Sequence, residues 1–119
     1  MLLSFMAQYS TQLTGIFIAL SDPTRRAVLG QLGKGPASVT ELAKPFDMAL
    51  PSFMKHIHML EGNGLIRTRK SGRVRTCALE KKPFAIAEAW LSAQRAGWEQ
   101  HTDRLEQFVL ATRDKRKPK

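Results

Sequence analysis

The stretch Ser38-Val39-Thr40-Glu41-Leu42-Ala43-Lys44-Pro45-Phe46-Asp47-Met48-Ala49-Leu50-Pro51-Ser52-Phe53-Met54-Lys55-His56-Ile57-His58-Met59-Leu60-Glu61 decides the fold. It opens on a capping box. The Ser38 hydroxyl can accept from the Glu41 N–H while the Glu41 carboxylate reaches back to the Ser38 N–H. A short helix follows, with Val39, Leu42, Ala43 and Phe46 on one face. Lys44-Pro45 stops a long continuation, because the residue before a proline avoids the helical region. Asp47-Met48-Ala49 turns the chain. A second helix, about residues 50–61, sets Phe53, Ile57 and Leu60 inward and tolerates Pro51 in its first turn. Two short helices joined by a tight turn, the second presenting polar and basic residues, form a helix-turn-helix.

The flanking sequence extends this unit. Gly62-Asn63-Gly64 breaks the second helix. Residues 65–70 and 73–79 alternate loosely around the turn Ser71-Gly72 and predict a β-hairpin. From Pro83 a helical pattern resumes, with Ala87, Trp90, Leu91, Gln94, Trp98, His101, Leu105, Phe108 and Val109 in one stripe. Upstream, Leu13, Ile16, Phe17 and Leu20 predict a first helix over about residues 8–20. Asp22 caps the next helix and Pro23 opens it; Ala27, Val28, Leu29 and Leu32 face inward until Gly33-Lys34-Gly35-Pro36 ends it. The expected fold is mainly α with a β-hairpin wing, in the order α-α-α-α-β-β-α. One winged helix-turn-helix domain over residues 1–112 and a basic, disordered tail over 113–119 are expected.

At 119 residues the chain has the length of one domain, and its single cysteine excludes an internal disulfide framework. A net charge of +9 in so small a domain points to a polyanionic partner, nucleic acid before an anionic membrane. The bases Lys55, Arg67, Arg69, Lys70, Arg73, Arg75, Lys81 and Lys82 outnumber the acids Glu61 and Glu80 across the hairpin region. Residues 1–21 carry no charge, and Gln8, Ser10, Thr11, Gln12 and Thr14 interrupt their apolar pattern. They read neither as a signal peptide nor as a bilayer span, so a cytoplasmic protein without membrane association is expected. No nucleophile, base and orienting acid accompany a Gly-rich loop or elbow, so no enzyme is expected. His56 and His58 are i, i+2 on one helix and point apart. Cys77 reads as a small packed residue. No metal and no cofactor are expected.

The chain resembles the ArsR family of bacterial winged-helix repressors. The resemblance rests on Ala19-Leu20-Ser21-Asp22-Pro23-Thr24-Arg25-Arg26, Val39-Thr40-Glu41-Leu42-Ala43, the run from Pro51 to Glu61, Gly64-Leu65-Ile66 and Gly72-Arg73, and on the spacing between them. Trp90-Leu91, Trp98-Glu99 and Arg104-Leu105 are similar to the SdpR-like branch, which lacks the metal-sensor motifs. The resemblance implies a homodimer on a palindromic operator in double-stranded DNA, packed through its first and last helices. It places DNA contacts on Thr40, Ser52, Lys55, His56 and His58, and on Arg73 and Arg75 of the basic hairpin, where Lys70 is a further candidate contact. The dimer interface would take Leu13, Ile16, Phe17, Trp98, His101, Leu105 and Phe108.

Departures from the family pattern are specific. Glu41-Leu42-Ala43-Lys44-Pro45 holds no cysteine where arsenic and cadmium sensors carry a Cys-x-Cys motif, and His101 and Asp103 have no second histidine after them. Ala49 stands where a small polar cap is usual, and Met54 where serine is common. Two further functions fit the residues less well. One is a winged-helix module that binds RNA or an acidic protein; the other is a metal-responsive sensor. The operator and any effector leave no trace in the sequence.

Overall fold

The structure, a computed structural model, describes residues 2–116. Helix α1 spans Leu2–Leu20, α2 Pro23–Leu32, α3 Val39–Ala43, α4 Leu50–Gly62 and α5 Lys82–Arg116. Strands β1 (Ala37–Ser38), β2 (Ile66–Ser71) and β3 (Val74–Leu79) form an antiparallel sheet in the order β1-β3-β2. The chain divides into two compact units, residues 1–87 and 88–119.

The first unit holds the core. Phe53, Ile57 and Leu60 of α4 are buried with Ile16 and Ala19 of α1, Val28, Leu29 and Leu32 of α2, and Val39 and Leu42 of α3. Leu65, Ile66 and Cys77 close it from the sheet. The Phe46 and Phe53 rings pack at 5.5 Å between centroids, tying the turn before α4 to that helix. Two assignments need correction. Ile16, expected at a dimer interface, is 0% exposed within its own chain and has no surface left for a partner. Ala27, expected inward, is exposed, because Val28 and Leu29 already take the core-facing side of α2.

Local chemistry sets the element ends. Asp22 caps α2, its Oδ2 accepting from the Arg25 N–H at 3.0 Å. The last carbonyls of α1 find side-chain donors: Arg25 reaches Ile18 and Ala19, Arg26 reaches Leu20, and Ser21 reaches Ile18. The capping box of α3 forms, but its return arm differs from expectation. The Ser38 hydroxyl accepts from the Glu41 N–H and meets the Glu41 carboxylate itself, both at 3.1 Å. Ser38 also pairs with Thr76, and Ala37 with Cys77, so the start of α3 is stitched to β3. Helix α4 follows Ala49, which supplies no side-chain cap. It ends in a Schellman motif: Leu65 N–H donates to the Leu60 carbonyl and Gly64 N–H to that of Glu61, with Gly64 at φ +78°.

Helix α1 starts at Leu2 rather than near Gln8, since residues 2–7 contain no glycine or proline to stop it. Helix α5 likewise runs on through Arg113 to Arg116, which were expected to lie in a disordered tail; Lys and Arg are good helix formers. Residues 117–119 of that tail lie outside the described residues. No described helix is long and apolar enough to cross a membrane. The fold is a winged helix-turn-helix, with α3 and α4 as the helix pair and β2–β3 as the wing.

Candidate nucleic-acid interface

Helix α4 divides sharply around its circumference. Phe53, Ile57 and Leu60 are buried, while Ser52, Lys55 and His58 are exposed. Burying the apolar stripe therefore fixes which side chains remain outside to meet a base edge or a phosphate. Met54 is half-buried and packs against the core, so it is a packing residue rather than part of the outer face. On α3, Thr40 is exposed beside the turn.

The wing follows the same logic. Pairing runs from Ile66↔Leu79 to Ser71↔Val74, and Gly72 at φ +62° makes the tip. Lys70 and Arg73 are exposed there. At the root of the wing, Arg67 is paired with Glu80 at 3.0 Å, which offsets one charge of the basic run.

Two of the expected DNA contacts are engaged inside the chain. Arg75 is half-buried and donates from Nη1 to the Thr68 hydroxyl at 3.0 Å. Thr68 donates its N–H, at 3.1 Å, and its hydroxyl to the Glu61 carboxylate near the end of α4. A line of hydrogen bonds thus joins the helix to the wing. His56 is also half-buried. Its Nδ1 lies 3.1 Å from Arg25 Nη1 and 3.6 Å from Asp22 Oδ2. The contacts of Arg25 with His56 and of Glu61 with Thr68 leave no signal in the sequence, because each joins different elements, 31 and 7 positions apart.

The electrostatics separate structural from free charge. The N–H of Arg25 on Asp22 holds that carboxyl below its usual range, helped by the charges of His56 and Arg25 and opposed by burial. Burial pushes the Cys77 thiol up, and the Glu61 charge adds to this. A protonated, buried thiol is a weak nucleophile and a weak metal ligand. Among the described residues no three His, Cys, Asp or Glu side chains come together to hold a metal ion.

The residues assigned to a dimer interface fall in both units. Leu13 and Phe17 are half-buried on α1. Trp98 is 66% exposed, and His101, Leu105 and Phe108 are exposed too. The stripe from Trp98 to Val109 is therefore uncovered in the single chain.

Comparison with known proteins places this architecture. A helix-turn-helix domain family matches residues 20–69. The HTH-type transcriptional regulator Rv2034 of Mycobacterium tuberculosis is 36% identical over 67 residues, 56% of this chain and 63% of that protein. The chain thus spans somewhat under two thirds of that relative's length. The transcriptional repressor SdpR of Bacillus subtilis is 31% identical over 61 residues, 51% of this chain and 68% of its own. A crystal structure of an ArsR family transcriptional regulator is 71% identical, covers 76% of this chain and 93% of the other, and superposes with a TM-score of 0.74. The fold is shared by a homodimeric winged helix-turn-helix DNA-binding domain from Mycobacterium bovis, solved in solution: 20% identity, 83% and 89% coverage, TM-score 0.61. The chain belongs to the ArsR family of winged helix-turn-helix transcriptional regulators.

Proposed function

We propose that the chain is a dimeric, sequence-specific repressor acting on DNA in the cytoplasm, with α4 reading a palindromic operator. One observation carries this reading. The face of α4 left outside the core holds Ser52, Lys55 and His58, beside a wing that presents Lys70 and Arg73, in a chain of net charge +9. Thr40 on α3 adds a hydroxyl to the same helix pair. His56 and Arg75 serve this surface from behind, through their internal partners. SdpR supplies the precedent for repression, and the M. bovis domain the precedent for a homodimer. In this reading Trp98, His101, Leu105 and Phe108 of the second unit, exposed in the single chain, and separately the half-buried Leu13 and Phe17 of the first unit, contact a second copy. A two-fold protein reads a two-fold site.

The test is selection of bound duplexes from random fragments, followed by titration of the selected and a scrambled duplex at several salt concentrations. Phosphate contacts set affinity and salt slope, whereas base contacts set preference. Arg73→Ala should weaken both duplexes and flatten the salt slope by about 0.9 for each phosphate left without its cation. Lys55→Ala, or Ser52→Ala with it, should cost about 1–3 kcal/mol of discrimination for each base edge no longer bonded. Sedimentation should show a dimer that Trp98→Glu disperses. Selection of no palindrome, with equal or tighter binding of single-stranded RNA, would replace this reading with that of an interaction module.

A further inference from the structure

Arg25 sits at the junction of three elements of the first unit. Its Nε donates to the Ala19 carbonyl at 2.8 Å and its Nη2 to the Ile18 carbonyl at 2.9 Å, both at the end of α1. Its own N–H is held by Asp22 at the start of α2. The remaining arm, Nη1, lies 3.1 Å from His56 Nδ1 on α4. A guanidinium has five donors and no acceptor. The contact is therefore a hydrogen bond only when Nδ1 is the bare nitrogen of a neutral imidazole, with its proton on Nε2.

The charges around His56 make this bond conditional. Asp22 Oδ2 stands 3.6 Å from the same Nδ1, and Arg25 is the cation facing it from α2. Lys55 and His58 are its titratable neighbours on α4, and α1 contributes only carbonyls, having no charged residue at all. A proton on Nδ1 removes the acceptor, sets two cations against each other, and turns the imidazole into a donor for Asp22.

We propose that Arg25 is a positioning residue for DNA reading: it fixes the first turns of α4 by holding neutral His56, and it releases them when the imidazole is protonated. This rests on the DNA-reading role proposed above. It assigns His56 the opposite sign from a direct DNA contact, because a protonated histidine on a phosphate would tighten binding.

The test measures binding of the duplex selected by the wild-type protein, and of a scrambled duplex, between pH 8 and pH 5 at constant ionic strength, the interval in which an imidazole changes charge. Wild-type preference for the selected duplex should fall about tenfold towards the acid end, the factor equivalent to one charge-assisted hydrogen bond. His56→Asn places an amide oxygen near the position of Nδ1 and should keep its preference flat with pH. His56→Gln, whose oxygen lies near the position of Nε2, and Arg25→Gln should both show the weakened state throughout. Thermal unfolding of each variant confirms that it is folded. Tighter wild-type binding at acid pH, or a His56→Asn profile that follows wild type, would overturn the positioning role while leaving DNA reading intact. A wild-type protein that prefers no duplex at any pH would instead refute DNA reading itself.

Discussion

Replacing Glu61 by alanine probes whether the wing is fastened to α4. The Glu61 carboxylate takes both the N–H and the hydroxyl of Thr68, and that hydroxyl accepts in turn from Arg75. Hydrogen bonds to a charged group contribute about 1.5–3 kcal/mol each. Glu61 and Thr68 are half-buried, so water replaces part of what the substitution removes. Taking about 1 kcal/mol per bond gives about 2 kcal/mol for Glu61→Ala. For a domain of this size that is a Tm lower by about 8 °C. Glu61→Gln keeps an acceptor and should lose about half as much. Thr68→Val removes the hydroxyl, with its bonds to Glu61 and from Arg75, and should cost about 2 kcal/mol. The double variant, Glu61→Ala with Thr68→Val, should fall short of the sum by about 1 kcal/mol, since both changes remove the same bond. Denaturant unfolding at fixed protein concentration measures these values; concentration must be held because assembly adds to apparent stability. Strict additivity, or a Glu61→Ala protein within about 0.5 kcal/mol of wild type, would show that the helix and the wing are not joined by this route.

Other perturbations separate backbone, core and cap. Gly64→Ala should cost about 1–2 kcal/mol from backbone strain alone, because φ is +78° and a methyl group there would meet nothing within 4 Å; an unchanged denaturation midpoint would refute this. Phe53→Ala should cost about 3–5 kcal/mol, as a fully buried ring at the centre of the core is removed, and the same unfolding measurement checks it. Asp22→Asn should weaken the α2 cap mainly above the ordinary carboxylate range. The native carboxyl is held below its unfolded value, so its stabilisation is present above about pH 4 and is lost as pH falls through the native value. Unfolding of both proteins from pH 7 to pH 2 should show the two curves converging at the acid end. Parallel curves would mean that Asp22 carries no such charge-dependent contact.

Much of the fold is local, and the sequence shows it for that reason. Phe53, Ile57 and Leu60 repeat at helical spacing, Ser38 and Glu41 sit at capping distance, and Gly72 lies between two alternating runs, so each signal is complete within one element. The exposed residues of α4 follow by subtraction from the buried stripe. What the sequence conceals is long-range. Strand β1 is two residues long, too short for any alternation, and exists because β3 passes beside it. Ile16 lies on the same apolar run as Leu13 and Phe17, and only the packing of α1 shows which of them is buried. Arg75 reads as one more base until Thr68 is seen opposite. Gly15 reads as a weak point in a helix, yet a methyl group there would run into Asn63 Oδ1. That side-chain amide is bonded to the Met59 carbonyl at 2.8 Å, so Gly15 leaves room for the end of α4 to approach α1.

The wing has two mechanical regimes along its length. At Cys77 and Thr76, β3 is the middle strand, held by β1 on one side and β2 on the other. Past Thr76 the two strands of the hairpin pair only with each other, and residues 71–74 are exposed. A residue added to each strand near the tip lengthens the hairpin and leaves the register beneath it unchanged. A change at Cys77 or Thr76 instead disturbs the stitch that sets the start of α3. The outer end of the wing is thus a module whose reach and charge can drift with little penalty to folding. Its length can then vary while the helix pair and the stitch at Cys77 and Thr76 stay as they are.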